Sequence, residues 1–178
     1  MHCPKCRTVH LMPAKLEEGL PAMGCPKCEG SLISLLYYRY WAERVDPEAL
    51  VESGEKELVS DTDTKTALCC PKCAKLMTKY LVSGSLDARI DLCGNCDEAW
   101  LDGGEWSLLK SVQQANRLPR IFTDHWQSKV KSEKVELNRV ERLKRAVGDA
   151  DSEKAIEVKA WLSGNPNKAT ILRFLGTE

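Results

Sequence analysis

No stretch of this 178-residue sequence is apolar for anything close to the roughly 20 residues that a membrane-crossing helix needs. Its first ten residues, MHCPKCRTVH, have no basic region followed by an apolar stretch. That argues against a secretory signal, so the expected site of action is the cytoplasm, with no membrane partner. Net charge is also missing, because 26 Lys and Arg balance 26 Asp and Glu. Bulk charge therefore gives no argument for binding nucleic acid. Histidine is scarce as well, and His2, His10 and His125 fall at no spacing that suggests metal ligands.

Cysteine, by contrast, is abundant. Nine is a high and odd count: a disulfide framework would need an oxidising compartment, which nothing here suggests, and would leave one thiol unpaired. In a reducing compartment such a chain binds metal more often. Eight of the nine form pairs: Cys3-Pro4-Lys5-Cys6, Cys25-Pro26-Lys27-Cys28, Cys70-Pro71-Lys72-Cys73 and Cys93-Gly94-Asn95-Cys96. The pairs themselves repeat, giving one unit of C-x2-C, a spacer and C-x2-C used twice.

The chemistry explains this spacing. A tight turn between paired cysteines lets both sulfurs face one ion at about 2.3 Å. Proline after the first cysteine fixes φ within that turn. The spacer is long enough for a hairpin that returns the chain to the same ion. The expected ligands are Cys3, Cys6, Cys25 and Cys28 for one site, and Cys70, Cys73, Cys93 and Cys96 for the other. The expected cofactor is zinc, two ions per chain, although iron suits the same four sulfurs. Eight thiolates and two dications would lower the net charge by four, making the loaded protein mildly acidic. A site closed by four cysteines has no open position, so it reads as structural rather than catalytic. It replaces the core that so small a unit cannot build. A redox dithiol needs one reactive C-x-x-C beside a βαβ pattern, and none surrounds these pairs. Cys69 is left over and reads as a small packing residue beside its knuckle.

The segment DLCGNCDEAWLDGGEW resembles the second knuckle of bacterial zinc ribbons of the transcription factor IIB type. Cys70, Cys73, Cys93 and Cys96 match the ligands of that family. Trp100, Leu101, Asp102, Gly104 and Glu105 match its W-L-D-x-G-E signature. The resemblance covers about residues 69–106, and residues 3–41 look like a diverged copy without the signature. Glycine stands after Cys93 where the family has proline, and it also suits a tight turn. The family name implies transcription. It brings no catalytic residue, and a ribbon is a scaffold that does not specify its partner.

The chain then divides into a first zinc ribbon at 1–45, an acidic linker at 46–68, a second ribbon at 69–103 and a helical region at 104–178. In the linker, Asp46 and Pro47 would start a short helix over 46–53. Asp102 and Glu105 make a carboxylate form of the capping box, with Trp106, Leu109 and Val112 on one helical face. A second helix is expected from near Pro119 to Gly148, with Phe122, Trp126, Val130, Leu137, Val140 and Val147 near one face. A third covers about 152–163. Asn165 and Pro166 would cap a short last helix ending at Gly176.

The fold class is therefore small α+β: two tandem four-cysteine zinc ribbons of short antiparallel strands, followed by an α-helical C-terminal region. The expected function is non-catalytic, a zinc-binding adapter that presents its surfaces to a macromolecular partner. A protein partner is favoured, and self-association follows if the apolar helix face is exposed. The alternative is nucleic-acid binding in transcription or RNA handling through the basic helix at 117–145, where nine Lys and Arg oppose four acids. A thiol redox or metal-exchange protein is the remaining class. Candidate partner-binding residues are Tyr38, Arg39, Tyr40 and Trp41 in the aromatic segment YYRYWAER, with Lys129, Lys131, Arg139 and Arg142 in the basic helix. The aromatic segment also suits a strand or edge packed on the first ribbon. Asp97 and Glu98 read as solvated knuckle residues.

Overall fold

The structure, a computed structural model, describes residues 1–46, 50 and 66–176. The short helix expected over 46–53 falls almost wholly outside these residues. The chain separates into two compact units, Met1–Glu133 and Lys134–Glu178. It is α+β: six antiparallel strands in one sheet carry the two cysteine quartets, and helices follow.

Each repeat supplies three strands. β1 (Met12–Glu17), β2 (Leu20–Gly24) and β3 (Ser31–Ser34) come from the first, and β4 (Thr78–Leu81), β5 (Arg89–Cys93) and β6 (Glu98–Leu101) from the second. β1 and β2 form the expected hairpin between cysteine pairs, turned at Gly19 with φ +78°. Glycine takes that left-handed value without the steric penalty a side chain brings. β4 and β5 are the corresponding hairpin of the second repeat.

The two repeats do not fold as separate sheets. Strand order is β1-β2-β3-β6-β5-β4, so β3 pairs with β6 and joins the halves. The register places Leu32 opposite Trp100. The sequence offset that carries Cys25 onto Cys93 and Cys28 onto Cys96 also carries Leu32 onto Trp100. An antiparallel ladder that pairs equivalent residues has a local two-fold axis at that pair.

Two apolar clusters result. One contains both cysteine quartets together with Leu11, Leu32, Leu68, Met77 and Trp100. The other lies between the sheet and the helices, around Leu20, Ile33, Tyr38, Ile90, Leu109 and Leu118.

The aromatic segment after the first repeat is helix rather than strand. α1 (Leu35–Ala42) puts Leu35, Tyr38 and Trp41 on one buried face at helical spacing. The apolar positions 35, 38 and 41 recur every three residues, and this period outweighs the β preference of the aromatic side chains. The Tyr38 hydroxyl donates to the Ala115 carbonyl at 2.7 Å and accepts from the Leu118 amide at 2.9 Å. Burial pushes its pKa up to about 12. The Trp41 indole donates to the Glu18 carbonyl at 3.0 Å.

α2 (Glu105–Ser111) buries Glu105, Trp106 and Leu109. Its N-cap is Gly104 at φ +88° rather than Asp102, and the Asp102 amide donates to Glu105 Oε2 at 2.7 Å, just ahead of the helix. Pro119 opens the one-turn α3 (Leu118–Ile121), and the chain restarts at Thr123, whose Oγ1 accepts from the Trp126 amide at 3.3 Å. The single expected helix from Pro119 is thus α3 followed by α4 (Asp124–Val147). Gln127 anchors α4 to the edge strand. Its amide accepts from the Leu81 amide at 3.2 Å and donates to the Leu81 and Ile121 carbonyls at 2.9 and 2.8 Å. One side chain thereby satisfies both backbone groups of a residue on the outer edge of β4.

The boundary between the two units falls within α4. Gly148, at φ +84°, ends α4 as expected. α5 (Asp149–Ser163) begins three residues earlier than expected, with Asp149 and Asp151 in the first turn, where carboxylates favour a helix N-terminus. α6 (Lys168–Leu175) starts after Asn167, two residues later than expected, and Asn165 Oδ1 still makes a cap-like bond by accepting the Asn167 amide at 2.8 Å.

Candidate metal centres

The eight predicted ligands come together in the predicted sets. Cys3, Cys6, Cys25 and Cys28 form one cluster and Cys70, Cys73, Cys93 and Cys96 the other, with all four sulfurs of each within 4.8 Å of one another. Each knuckle is built alike. The residue after its second cysteine is left-handed: Arg7 (φ +62°), Glu29 (+58°), Ala74 (+60°) and Asp97 (+56°). The amide of that residue donates to the carbonyl of the first cysteine at 2.8 to 2.9 Å in all four knuckles. A left-handed conformation costs a non-glycine residue about 1–2 kcal/mol. Its recurrence in four unrelated residue types marks a backbone requirement of the knuckle, not a preference of the side chain.

The sulfur separations fit a tetrahedral ion. Four thiolates at about 2.3 Å from one centre lie about 3.8 Å from each other. Cys3 and Cys28 Sγ are 3.6 Å apart, Cys25 and Cys6 3.9 Å, and Cys73 and Cys93 3.6 Å. A disulfide requires about 2.0 Å, and all nine cysteines are free. The first cysteine of each pair is buried and the second is partly exposed. Amide donors face the sulfurs, as in Cys6 N to Cys3 Sγ at 3.3 Å.

The thiols do not ionise as equals. Burial raises the pKa of Cys25, but amide donors from Cys28 and Lys27 outweigh it and leave the thiol at about 7. The Lys75 amide and the Cys96 thiol bring Cys73 to about 7 as well. Burial pushes Cys3 and Cys28 up, and Cys70 up to about 12. The hydrogen bond with Cys73 raises Cys96. In each quartet one thiol is thus lowered, while burial disfavours ionisation of Cys3, Cys28 and Cys70 and the bond with Cys73 disfavours that of Cys96. A bound dication removes that obstacle. Both quartets can therefore hold one metal ion each, with all four ligands supplied by the chain.

The carboxylates of the CGNCDEAWLDGGEW segment are structural. Glu98 is buried, not solvated, and meets Lys72 of the neighbouring knuckle at 2.8 Å. Asp97 pairs with Arg39 at 2.7 Å. Asp102 Oδ1 accepts from the Trp100 indole at 3.0 Å and lies 3.5 Å from Lys5 Nζ. Lys5 belongs to the first repeat, so this contact crosses the β3–β6 junction. Two glycines make the crossing possible. A Cβ at Gly30 would stand 2.3 Å from the Trp100 ring, and one at Gly103 would stand 2.6 Å from the Cys28 carbonyl oxygen. The W-L-D-G-G-E segment of the second repeat therefore packs directly on the second knuckle of the first. No local spacing in the sequence encodes this reach, because the residues that meet lie in different repeats. Trp106 joins helix to sheet through Glu17, its indole donating at 2.9 Å, and packs on Trp41 at 5.8 Å between centroids.

The remaining candidates are dispersed. Of the four candidates in the aromatic segment, Tyr38 and Trp41 are buried and Arg39 and Tyr40 are exposed, beside an exposed Tyr37. The Arg44 guanidinium lies over the Tyr40 ring at 3.3 Å from its centroid. Lys129, Lys131, Arg139 and Arg142 are all exposed along α4, and Lys129 is 3.8 Å from Glu133. Cys69 belongs to neither quartet and is exposed rather than packed. His2 and His10 face each other across an isolated bridge, 4.1 Å between ring centroids. Among the described residues no helix is long and apolar enough to cross a membrane.

No protein-family profile matches the sequence, and comparison with curated proteins and with solved structures returned no match. The likeness to zinc ribbons accordingly rests on the two four-cysteine clusters and their knuckles.

Proposed function

We propose that this chain is a non-catalytic zinc-dependent adapter that presents its helical C-terminal unit to a protein partner. Zinc is the metal that best suits two closed four-thiolate sites, since it needs no further ligand and no redox partner. Bound there, it supplies folding energy to a sheet whose halves share one core. Closed sites leave no position for substrate, so the activity of the protein lies in its surfaces.

One observation carries the reading. Lys134–Glu178 consists of helical segments that leave many apolar side chains outside: Leu137, Val147, Val158, Trp161, Leu172 and Leu175 are 45 to 62% exposed. Helices of this length gain most of their stability by burying an apolar face. Exposed apolar residues in such a number mark a surface that a partner covers.

Affinity capture from cell extract with the tagged full chain, with and without nuclease, tests this. The expected result is a protein partner retained after nuclease treatment and lost when Lys134–Glu178 is removed. Capture of nucleic acid alone, abolished by nuclease, would instead favour the basic residues of α4 as a nucleic-acid surface.

A further inference from the structure

Within the C-terminal unit, α4 and α5 border an open groove of about 560 Å³. Glu136, Val140 and Leu143 line it from α4 at helical spacing, and Ile156, Ala160 and Ser163 line it from α5. Val140, Leu143, Ile156, Ala155 and Ala160 make its floor apolar. Ala160 and Ser163 are small, so a backbone can approach α5 closely. The rim is cationic. Arg139, Arg142 and Lys159 oppose the single carboxylate of Glu136. Glu136 is already engaged by Lys159 and its pKa is lowered by that contact. Among the described residues Arg142 has no ion-pair partner, and both arginines are exposed.

We infer that this groove is a docking site for an amphipathic helix of a partner protein, with apolar residues at helical spacing and acidic residues on its flanks. The inference rests on the adapter reading above and names the partner's chemistry. An apolar floor between two helices takes knobs at i, i+3, i+4 and i+7, the helix-in-groove mode of recognition. The arginine rim selects carboxylates by charge and by paired N–H donors. Charge also disfavours a second copy of the groove on a two-fold axis, since that would bring Arg139 and Arg142 against their own kind. A phosphate backbone matches the rim but has nothing to fill the floor.

The test uses the full chain loaded with metal and three fluorescent probes. The first is a peptide of about 16 residues with leucine at helical spacing and glutamate on both flanks. The second is its twin with lysine on the flanks, and the third is a short RNA duplex. The glutamate peptide is expected to bind at least about tenfold more tightly than the lysine peptide. The double reversal Arg139→Glu, Arg142→Glu should invert that preference, and Ala160→Trp should abolish binding of both peptides. Both sets of changes lie on exposed helix positions, and circular dichroism checks that the helices persist. Equal binding of the two peptides, no binding of either, or an unchanged preference in the reversal variant overturns the inference. So does tightest binding of the RNA. If the variants still capture the same protein from extract, the groove is wrong and the adapter reading stands. If no protein is captured by any form, the adapter reading itself fails.

Discussion

Leu32 of β3 and Trp100 of β6 stand opposite each other where the two cysteine repeats meet, and both are buried in the cluster that holds all eight paired cysteines. The two cysteine quartets thus share a wall. Trp100 is fully buried and its ring covers Gly30, beside the second knuckle of the other repeat. Trp100→Ala is expected to cost about 3–5 kcal/mol in stability. It should also weaken both metal sites, as read by competition with a chelator. Weakening of only one site would contradict the shared wall.

Gly103→Ala probes the same junction from the backbone. The added methyl would meet the Cys28 carbonyl at 2.6 Å, a rigid neighbour that cannot swing aside. A destabilisation of about 1–3 kcal/mol is expected from overpacking. Cys28 belongs to the first quartet although Gly103 lies in the second repeat, so the first site should release its metal earlier during a chelator titration.

Tyr38 ties α1 to the turn between α2 and α3 through two buried hydrogen bonds. Tyr38→Phe leaves the Ala115 carbonyl and the Leu118 amide without that hydroxyl and should cost about 1–3 kcal/mol. The raised pKa adds a pH signature. The folded protein favours the neutral phenol, so its contribution is fully present below the ordinary value of 10 and is lost as pH rises through about 12. Alkaline unfolding followed by fluorescence should therefore begin above pH 10, and the phenylalanine variant should show a shallower loss across that window.

Gln127 closes the β4 edge with two hydrogen bonds to Leu81 and makes a third to the Ile121 carbonyl. Gln127→Ala should raise amide exchange at Leu81 and lower stability by about 1–3 kcal/mol, with the metal sites unchanged. Unchanged exchange at Leu81 would show that the helix does not protect this edge.

Much of this was legible in the sequence because it is encoded locally. The C-x2-C pairs gave both quartets, and the spacers between them gave the hairpins. Gly148 marked the end of α4. What escaped depends on partners distant in the chain. Nothing near Leu32 announces that β3 pairs with β6. Gly30 and Gly103 look like ordinary loop glycines until Trp100 and Cys28 are placed against them. The aromatic segment suggested a strand or a stacking surface by composition, yet the spacing of Leu35, Tyr38 and Trp41 carries the helix that forms. Glu98 follows a knuckle, a position that suggests a solvated carboxylate, and Lys72, the partner that allows its burial, is contributed by a different knuckle.

Each quartet is expected to hold one metal ion, and the sheet to depend on both. Metal content of the purified full chain, measured alongside its circular dichroism before and after chelation, tests this most directly. About two zinc ions per chain are expected, with loss of the β signal when they are removed. A chain with fewer than about one ion that keeps its sheet, or keeps it after complete chelation, would contradict it.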